Sequence, residues 1–413
     1  MTATLAHVPW IKALETRAVM DALDQARDGA SRFVGGCVRN GVLGLKADDI
    51  DIATQLTPPE VIAAVEAAGL KAFPTGIDHG TITVVADHKP FEITTLRRDV
   101  STDGRRATVA FTTDWTEDAA RRDFRLNALY ADRDGVIFDP TGEGIADAKA
   151  GRIVFIGDAA QRLREDHLRI LRFFRFSAWY GRGALDADGL AACAAQLESL
   201  ADLSVERVWK ELKKLVAAPD PRAALSAMTA AGIDPLVWPQ ASRLDRLHAL
   251  INLEADAFLP GDGLQRIAAA LPDAEAARAL SAALKLANDE RDRLVGAHTH
   301  GGRVVSFMSL LEVRRVLYRI GQEAFLDQVA MAWADDGREK TTPQWRALMA
   351  LAQGWTRPTF PLTGAQVISA GVAPGPLVGE VMREVESWWI DADFISDPLS
   401  IAERLKAVVQ GLT

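Results

Sequence analysis

The stretch VGGCVRNGVLGLKADDIDIAT, residues 34–54, places two glycines and an arginine ahead of acids on alternate positions, Asp49 and Asp51. DIDIA (49–53) is short, β-branched and alternating, which predicts a strand. Residues i and i+2 of a strand share a side, so Asp49 and Asp51 are expected to project together, with Ile50 and Ile52 packed opposite. Two carboxylates this close repel unless a cation sits between them. A hard divalent ion such as Mg²⁺ takes carboxylate, phosphate and water oxygens. Two such ions align an attacking hydroxyl with a triphosphate and neutralise the leaving pyrophosphate. Gly35 and Gly36 let backbone N–H groups approach a phosphate, and Arg39 adds a charged fork. Glu92, in FEITTL (91–96), offers a third acid if its strand lies beside the first. A lone DxD or GG is commonplace; the ordered combination points to nucleotide chemistry.

Around this stretch the texture is mixed. TITVVA (81–86) and FEITTL read as strands, 9–28 as an opening helix, and PPEVIAAVEAAG (58–69) as a helix begun by proline and closed by glycine. The strands do not alternate regularly with long helices, so the expectation is an α+β head with a small mixed sheet. From about 158, DAAQRLREDHLRILRFFRFSAWYG reads as one long amphipathic helix, and helical patterns follow at 187–201, 204–217 and 221–231. Beyond IDPLVWPQ (233–240) nearly everything is alanine- and leucine-rich helix. The expected organisation is a head over 1–152, a helical neck over 153–240 and a helical body and tail over 241–413.

The whole chain narrows the function class. Its 413 residues exceed one ordinary domain, and 48% hydrophobic content supports real cores. Two cysteines, Cys37 and Cys193, form neither a CxxC nor a disulfide framework, which fits a reducing cytoplasm. No signal peptide or membrane span is expected. The formal net charge of −9 argues against indiscriminate nucleic-acid binding, yet arginines cluster at 96–99, 104–106, 120–125 and 163–176.

In their order, GGCVRN…DDIDIAT, GIDHGTITV (76–84), FEITTLRRD (91–99), DGRR (103–106), RRDFRLNAL (121–129), DPTGEGIAD (139–147), REDHLRILRFFRFSA (164–178) and LSVERVWKELKKLV (203–216) resemble the class II CCA tRNA nucleotidyltransferase and poly(A) polymerase family. The resemblance covers roughly residues 30–240. It implies a polymerase-β-like nucleotidyltransferase head. It also implies Mg²⁺-dependent attack of an RNA 3′ hydroxyl on the α-phosphate of CTP or ATP, with tRNA as partner. By motif match, Asp49 and Asp51 hold the metals, Gly36 and Arg39 bind the triphosphate, and Arg121 or Arg122, preferentially Arg122, reaches the incoming nucleotide. DGRR suggests a mobile loop over the nucleotide, although a solvated turn fits the same residues. No protein partner is implied. One departure stands out, Asn40 where the family usually has aspartate. The chain has no HD dipeptide, so the phosphohydrolase activity of some members is expected to be absent.

Two pairs bear on selectivity. Asp123 and Asn127, spaced by one helical turn, suit a ribose contact or an ordinary surface hydrogen bond. Asp166 and Arg169, at i and i+3, can imitate the edge of a template base. A carboxylate accepts from an exocyclic amine and a guanidinium donates to ring nitrogen or carbonyl, which selects cytosine and adenine. On residues alone an i,i+3 salt bridge is the plainer reading. Arg172 and Arg175 extend that face toward phosphates, Phe173, Phe174 and Phe176 read as core, and His79 reads as a turn histidine. Poly(A) addition, partial CC or A addition, a non-catalytic RNA-binding protein and a small-molecule nucleotidyltransferase are the competing readings.

Overall fold

The computed structural model describes residues 4–47, 49–103, 106–299 and 304–411. Within the DGRR segment Gly104 and Arg105 lie outside the described residues, as does Asp48 of the opening stretch.

Among the described residues nine strands form: β1 Ser31–Val34, β2 Asp51–Thr54, β3 Lys71–Gly76, β4 Thr81–Ala86, β5 Lys89–Thr95, β6 Arg97–Asp103, β7 Arg106–Phe111, β8 Tyr130–Ala131 and β9 Ile137–Phe138. Seven make one sheet in the order β3-β4-β5-β2-β1-β8-β9, while β6 and β7 pair as a separate hairpin. Within the large sheet only β2 and β5 are parallel, so the sheet is mixed, as the strand texture predicts.

Alternation along β1 and β2 builds two cores. Phe33 and Ile52 face one side, where they join Ile82, Val84, Phe91 and Ile93 against helices Leu14–Ala26 and Pro58–Ala67. Val34 and Ala53 face the other, with Leu96, Ala119, Ala128 and Tyr130. Truncating a fully buried residue such as Ile52 to alanine is expected to cost about 2–5 kcal/mol. The helix Pro58–Ala67 starts as the sequence predicts. Prolines fill its first turn, and Thr57 with Glu60 forms a reciprocal capping box. The opening helix is split at Ala13 into Pro9–Lys12 and Leu14–Ala26.

The predicted long helix over 158–181 is two helices, Ala159–Glu165 and Arg169–Tyr180. The chain becomes extended at Asp166 (φ −154°, ψ 104°), whose Oδ1 accepts from the Leu168 N–H at 3.1 Å. This local side-chain bond competes with helix continuation. Helix Val205–Val216 packs on Arg169–Tyr180.

Contacts divide the chain into two compact units, 1–239 and 240–413. Among the described residues the second unit is built of helices, from Leu244–Ala257 to Pro398–Gln410, around apolar clusters of which two are the larger. One cluster includes Val313, Leu317, Phe325 and Val329; the other includes Val367, Val381, Val385 and Leu405. No helix among the described residues is long and apolar enough to cross a membrane.

Candidate active site

The site grows from the carboxyl side of β1 and the start of β2. After β1, Gly35 takes φ 72°, ψ −120°, a conformation open to glycine and strained for any other residue. It turns the chain into helix Gly36–Leu43, whose first N–H groups have no intrahelical partner. Antiparallel to β1, β2 opens with Asp51. Asp51 shares the sheet face of Ala53, and its register partner on β5 is Glu92, between the core residues Phe91 and Ile93. The third acid therefore lies on the neighbouring strand.

Asp49 departs from the strand expectation. It sits exposed in a bend before β2, which begins two residues later. Ile50 and Ile52 are core residues, as expected. Burial, then the charge of Glu92, pushes Asp51 up to about 6; Arg122 opposes the shift and Asp49 adds to it. A carboxyl that burial and a neighbouring acid hold reluctant to ionise would be relieved by a divalent cation, which takes hard oxygen donors. Among the described residues no group of three or more His, Cys, Asp or Glu side chains is gathered tightly enough to cage a metal. An ion held by so few carboxylates would complete its shell with phosphate and water.

One cavity of about 660 Å³ gathers most of the sequence-predicted residues. Gly35, Gly36, Arg39, Asp51, Arg122, Asp123, Asn127, Asp166, Arg169, Arg172 and Arg175 all line it; Asp49 and Glu92 do not. Arg97, Arg121, Phe176 and Lys214 complete the wall. Eight basic side chains against three acidic ones make this an anion site in a chain of net negative charge.

Most of these cations are held by hydrogen bonds. Asp118, 1% exposed, accepts from Arg121 Nε at 2.9 Å, Arg122 Nη2 at 2.9 Å and the Tyr130 hydroxyl at 2.8 Å. Burial alone would push its carboxyl up, but Arg122 and Arg121 hold it well below the usual range. Asp123 and Asn127 are bonded as expected, with Asn127 Nδ2 donating to Asp123 Oδ1 at 2.9 Å. They are buried, however, and sit on a turn: Asp123 follows helix Trp115–Ala120 and Asn127 ends a 3₁₀ turn. Arg172 Nε donates to Asp123 Oδ2 at 2.8 Å, and Arg175 Nε to Glu211 Oε2 at 2.5 Å. The guanidiniums of Arg39, Arg172 and Arg175 lie over the ring of Phe176, which is both core and wall.

The Asp166–Arg169 pair is built differently from the i,i+3 reading. Because the helix breaks at Asp166, its Oδ2 accepts from Arg207 Nη2 at 2.7 Å. Arg169 Nη1 donates to Glu165 Oε2 at 2.7 Å, and its Nη2 to the Arg121 carbonyl at 3.0 Å. Both groups still line the cavity, separately anchored. His79 ends a 3₁₀ turn capped by Gly80 at φ 79°, and its carbonyl accepts from Arg97.

Sequence reasoning missed the supports Asp118, Tyr130, Tyr180, Arg207 and Glu211. The i,i+3 and i,i+4 spacing of Asp118 to Arg121 and Arg122 was a usable signal, because such residues are neighbours on a helix.

Residues 31–154 match the family model for the poly A polymerase head domain, and 184–244 that for a probable RNA and SrmB-binding site of polymerase A. The chain is 31% identical over 375 residues to CCA tRNA nucleotidyltransferase 1, mitochondrial, of Mus musculus, covering 87% of this chain and 82% of that protein. It is 31% identical to the CCA-adding enzyme of Limosilactobacillus fermentum, over 92% of this chain and 93% of that one. Among solved structures, the Bacillus stearothermophilus CCA-adding enzyme in complex with CTP superposes with a TM-score of 0.77 at 27% identity, over 96% of this chain and 98% of that one. Similarity of this extent across both units, on a first unit that carries the glycine turn, the β2 acid and the arginine-lined cavity, makes the chain a member of the CCA tRNA nucleotidyltransferase and poly(A) polymerase family.

Proposed function

We propose that the chain adds C, C and A to the 3′ end of tRNA without a nucleic-acid template, using CTP and ATP and releasing pyrophosphate. One observation carries the reading: the cavity that holds Gly35, Gly36 and Asp51 also holds Asp166 and Arg169. Phosphate chemistry and base selection thus share a single volume. The relatives named above as CCA-adding enzymes, one of them bound to CTP, support the same reading.

Asp51, Asp49 and Glu92 fit Mg²⁺, with Asp51 and Asp49 as its ligands. When bound, the ion activates the attacking hydroxyl and offsets charge on the leaving pyrophosphate. The free N–H groups after Gly35, together with Arg39 and Arg122, bind the triphosphate. Asp123 and Asn127 orient the sugar of the nucleotide. Asp166 accepts from the base amine and Arg169 donates to its neighbouring acceptor, so C and A fit while U and G meet mismatched groups. Arg172 and Arg175, each tied to a carboxylate, shape the phosphate wall. In this account 1–152 is the catalytic head, 153–240 selects the nucleotide and binds RNA, and 241–413 adds further tRNA binding. A cytoplasmic setting belongs to the proposal and agrees with two free, buried cysteines.

Purified protein, Mg²⁺ and a tRNA transcript ending before its CCA test the reading. CTP alone should extend the RNA by C and C, and CTP with ATP by C, C and A before stopping. An ATP-only ladder of many A residues would replace the reading with poly(A) addition. Asp166→Ala should cut the preference for CTP over UTP by about tenfold or more, the value of one lost base-edge contact. Competition between the two nucleotides in the same assay checks it; an unchanged ratio would remove Asp166 from base selection.

A further inference from the structure

We infer that Asn40 sets the charge of the triphosphate site, occupying with a neutral amide the position from which a carboxylate would neutralise Arg39. The inference rests on the phosphate-binding role proposed for Arg39.

Arg39 is 7% exposed and lines the cavity. Its Nη1 donates to Asn127 Oδ1 at 2.5 Å, its Nη2 to the Tyr180 hydroxyl at 2.7 Å, and its Nε and Nη2 to Asn40 Oδ1 at 3.2 and 3.0 Å. All three partners are neutral. Among the described residues no carboxylate bonds or pairs with it. Asp123, near enough to act on Arg39 through space, has both oxygens engaged by Arg172, Asn127 and the Phe124 N–H. Five other cavity arginines, Arg121, Arg122, Arg169, Arg172 and Arg175, each pair with a carboxylate, while Arg97 and Lys214 lie in the same wall.

The amide orientation of Asn40 is fixed from both sides. Two guanidinium N–H groups require oxygen toward Arg39, and Nδ2 donates to the Lys46 carbonyl at 2.8 Å. An aspartate here would fork onto Arg39 as an ion pair, and its second oxygen would face the Lys46 carbonyl with no proton between them. With asparagine, a buried guanidinium bonded to neutral groups keeps its charge at the cavity wall without a directly bonded counter-ion. A buried charge without a counter-ion is costly, and an anionic phosphate chain entering the cavity relieves that cost. Asn40 is therefore a positioning residue that acts through Arg39.

Isothermal titration of the full-length protein with inorganic tripolyphosphate, without metal, tests this in Asn40→Asp, Asn40→Ala and Arg39→Gln. Asn40→Asp should weaken binding by about tenfold or more, because it neutralises a unit charge beside the ligand. Asn40→Ala loses the same Lys46 bond but adds no charge, and should stay within about threefold of wild type. Asn40→Ser replaces it if the alanine variant melts early. With tRNA and Mg²⁺, Asn40→Asp should raise KM for CTP and ATP and leave kcat within about twofold, the pattern of lost uniform binding. Asn40→Asp binding as wild type does, or Asn40→Ala losing as much as Asn40→Asp, would overturn the inference alone. Arg39→Gln binding tripolyphosphate normally would overturn the phosphate-site reading with it.

Discussion

Asp51→Asn should abolish nucleotide addition while making the ion-free protein more stable. Asp51 faces Glu92 across the parallel β2–β5 pair and is pushed up to about 6 by burial and by that neighbour. Below the ordinary carboxylate value of 3.8 it is protonated whether the chain is folded or not, and folding is unpenalised. As pH rises from there to about 6, the unfolded chain releases its proton first, so stability falls across that window. An amide removes the penalty, and at pH 7 the gain is expected to be about 1–3 kcal/mol. The same amide removes the carboxylate that the proposal gives to Mg²⁺, and losing several kcal/mol of charge stabilisation is about a thousandfold in rate. Thermal melts with and without Mg²⁺ give a readout independent of activity. Wild type should gain stability from the ion and Asp51→Asn should not. Equal Mg²⁺ responses in the two proteins would remove Asp51 from the ion's ligands.

Asp118→Asn should be the most destabilising change of a charged residue near the cavity, about 3–5 kcal/mol. The asparagine leaves Arg122 and Arg121 partly buried beside one neutral oxygen, where a carboxylate had accepted from both and from Tyr130. Because the folded state holds this carboxyl below 3.8, its stabilisation is complete above that value and drains away as pH falls beneath it. Wild type should therefore show a steeper loss of stability below about pH 4 than Asp118→Asn does. Urea melts across pH 3 to 7 check both the size and the slope. A cost below about 1 kcal/mol, typical of an exposed pair, would contradict the buried-network account.

These two residues show what the sequence carries and what it does not. Asp51 was legible because its signals are local: alternation in DIDIA fixes its face, and a glycine turn just upstream fixes its neighbour. Asp118 in WTEDAA looks like any acid on a solvated helix, and only the fold makes it 1% exposed under Tyr130. Glu211 in KELKK is the same case, buried against Arg175. The break at Asp166 was hidden for a related reason. REDHLRILR has unbroken helical character, and the break is held by an Asx-type bond together with Arg207, a partner from a distant segment. Asp123 and Asn127 were paired correctly by spacing but assigned to the wrong backbone, since four residues span a turn as readily as a helix. Asp49 missed the strand because β2 starts only where pairing with β1 and β5 begins.

The central claim is that one cavity chooses C and A and stops after three additions. The most direct measurement supplies all four nucleoside triphosphates at equal concentration, with Mg²⁺, to a tRNA ending before CCA, and sequences every 3′ end. The account predicts C, C, A and no further growth, with U and G absent, and no extension by Asp51→Asn. A long A tract, frequent U or G, or an Asp51→Asn profile indistinguishable from wild type would contradict it.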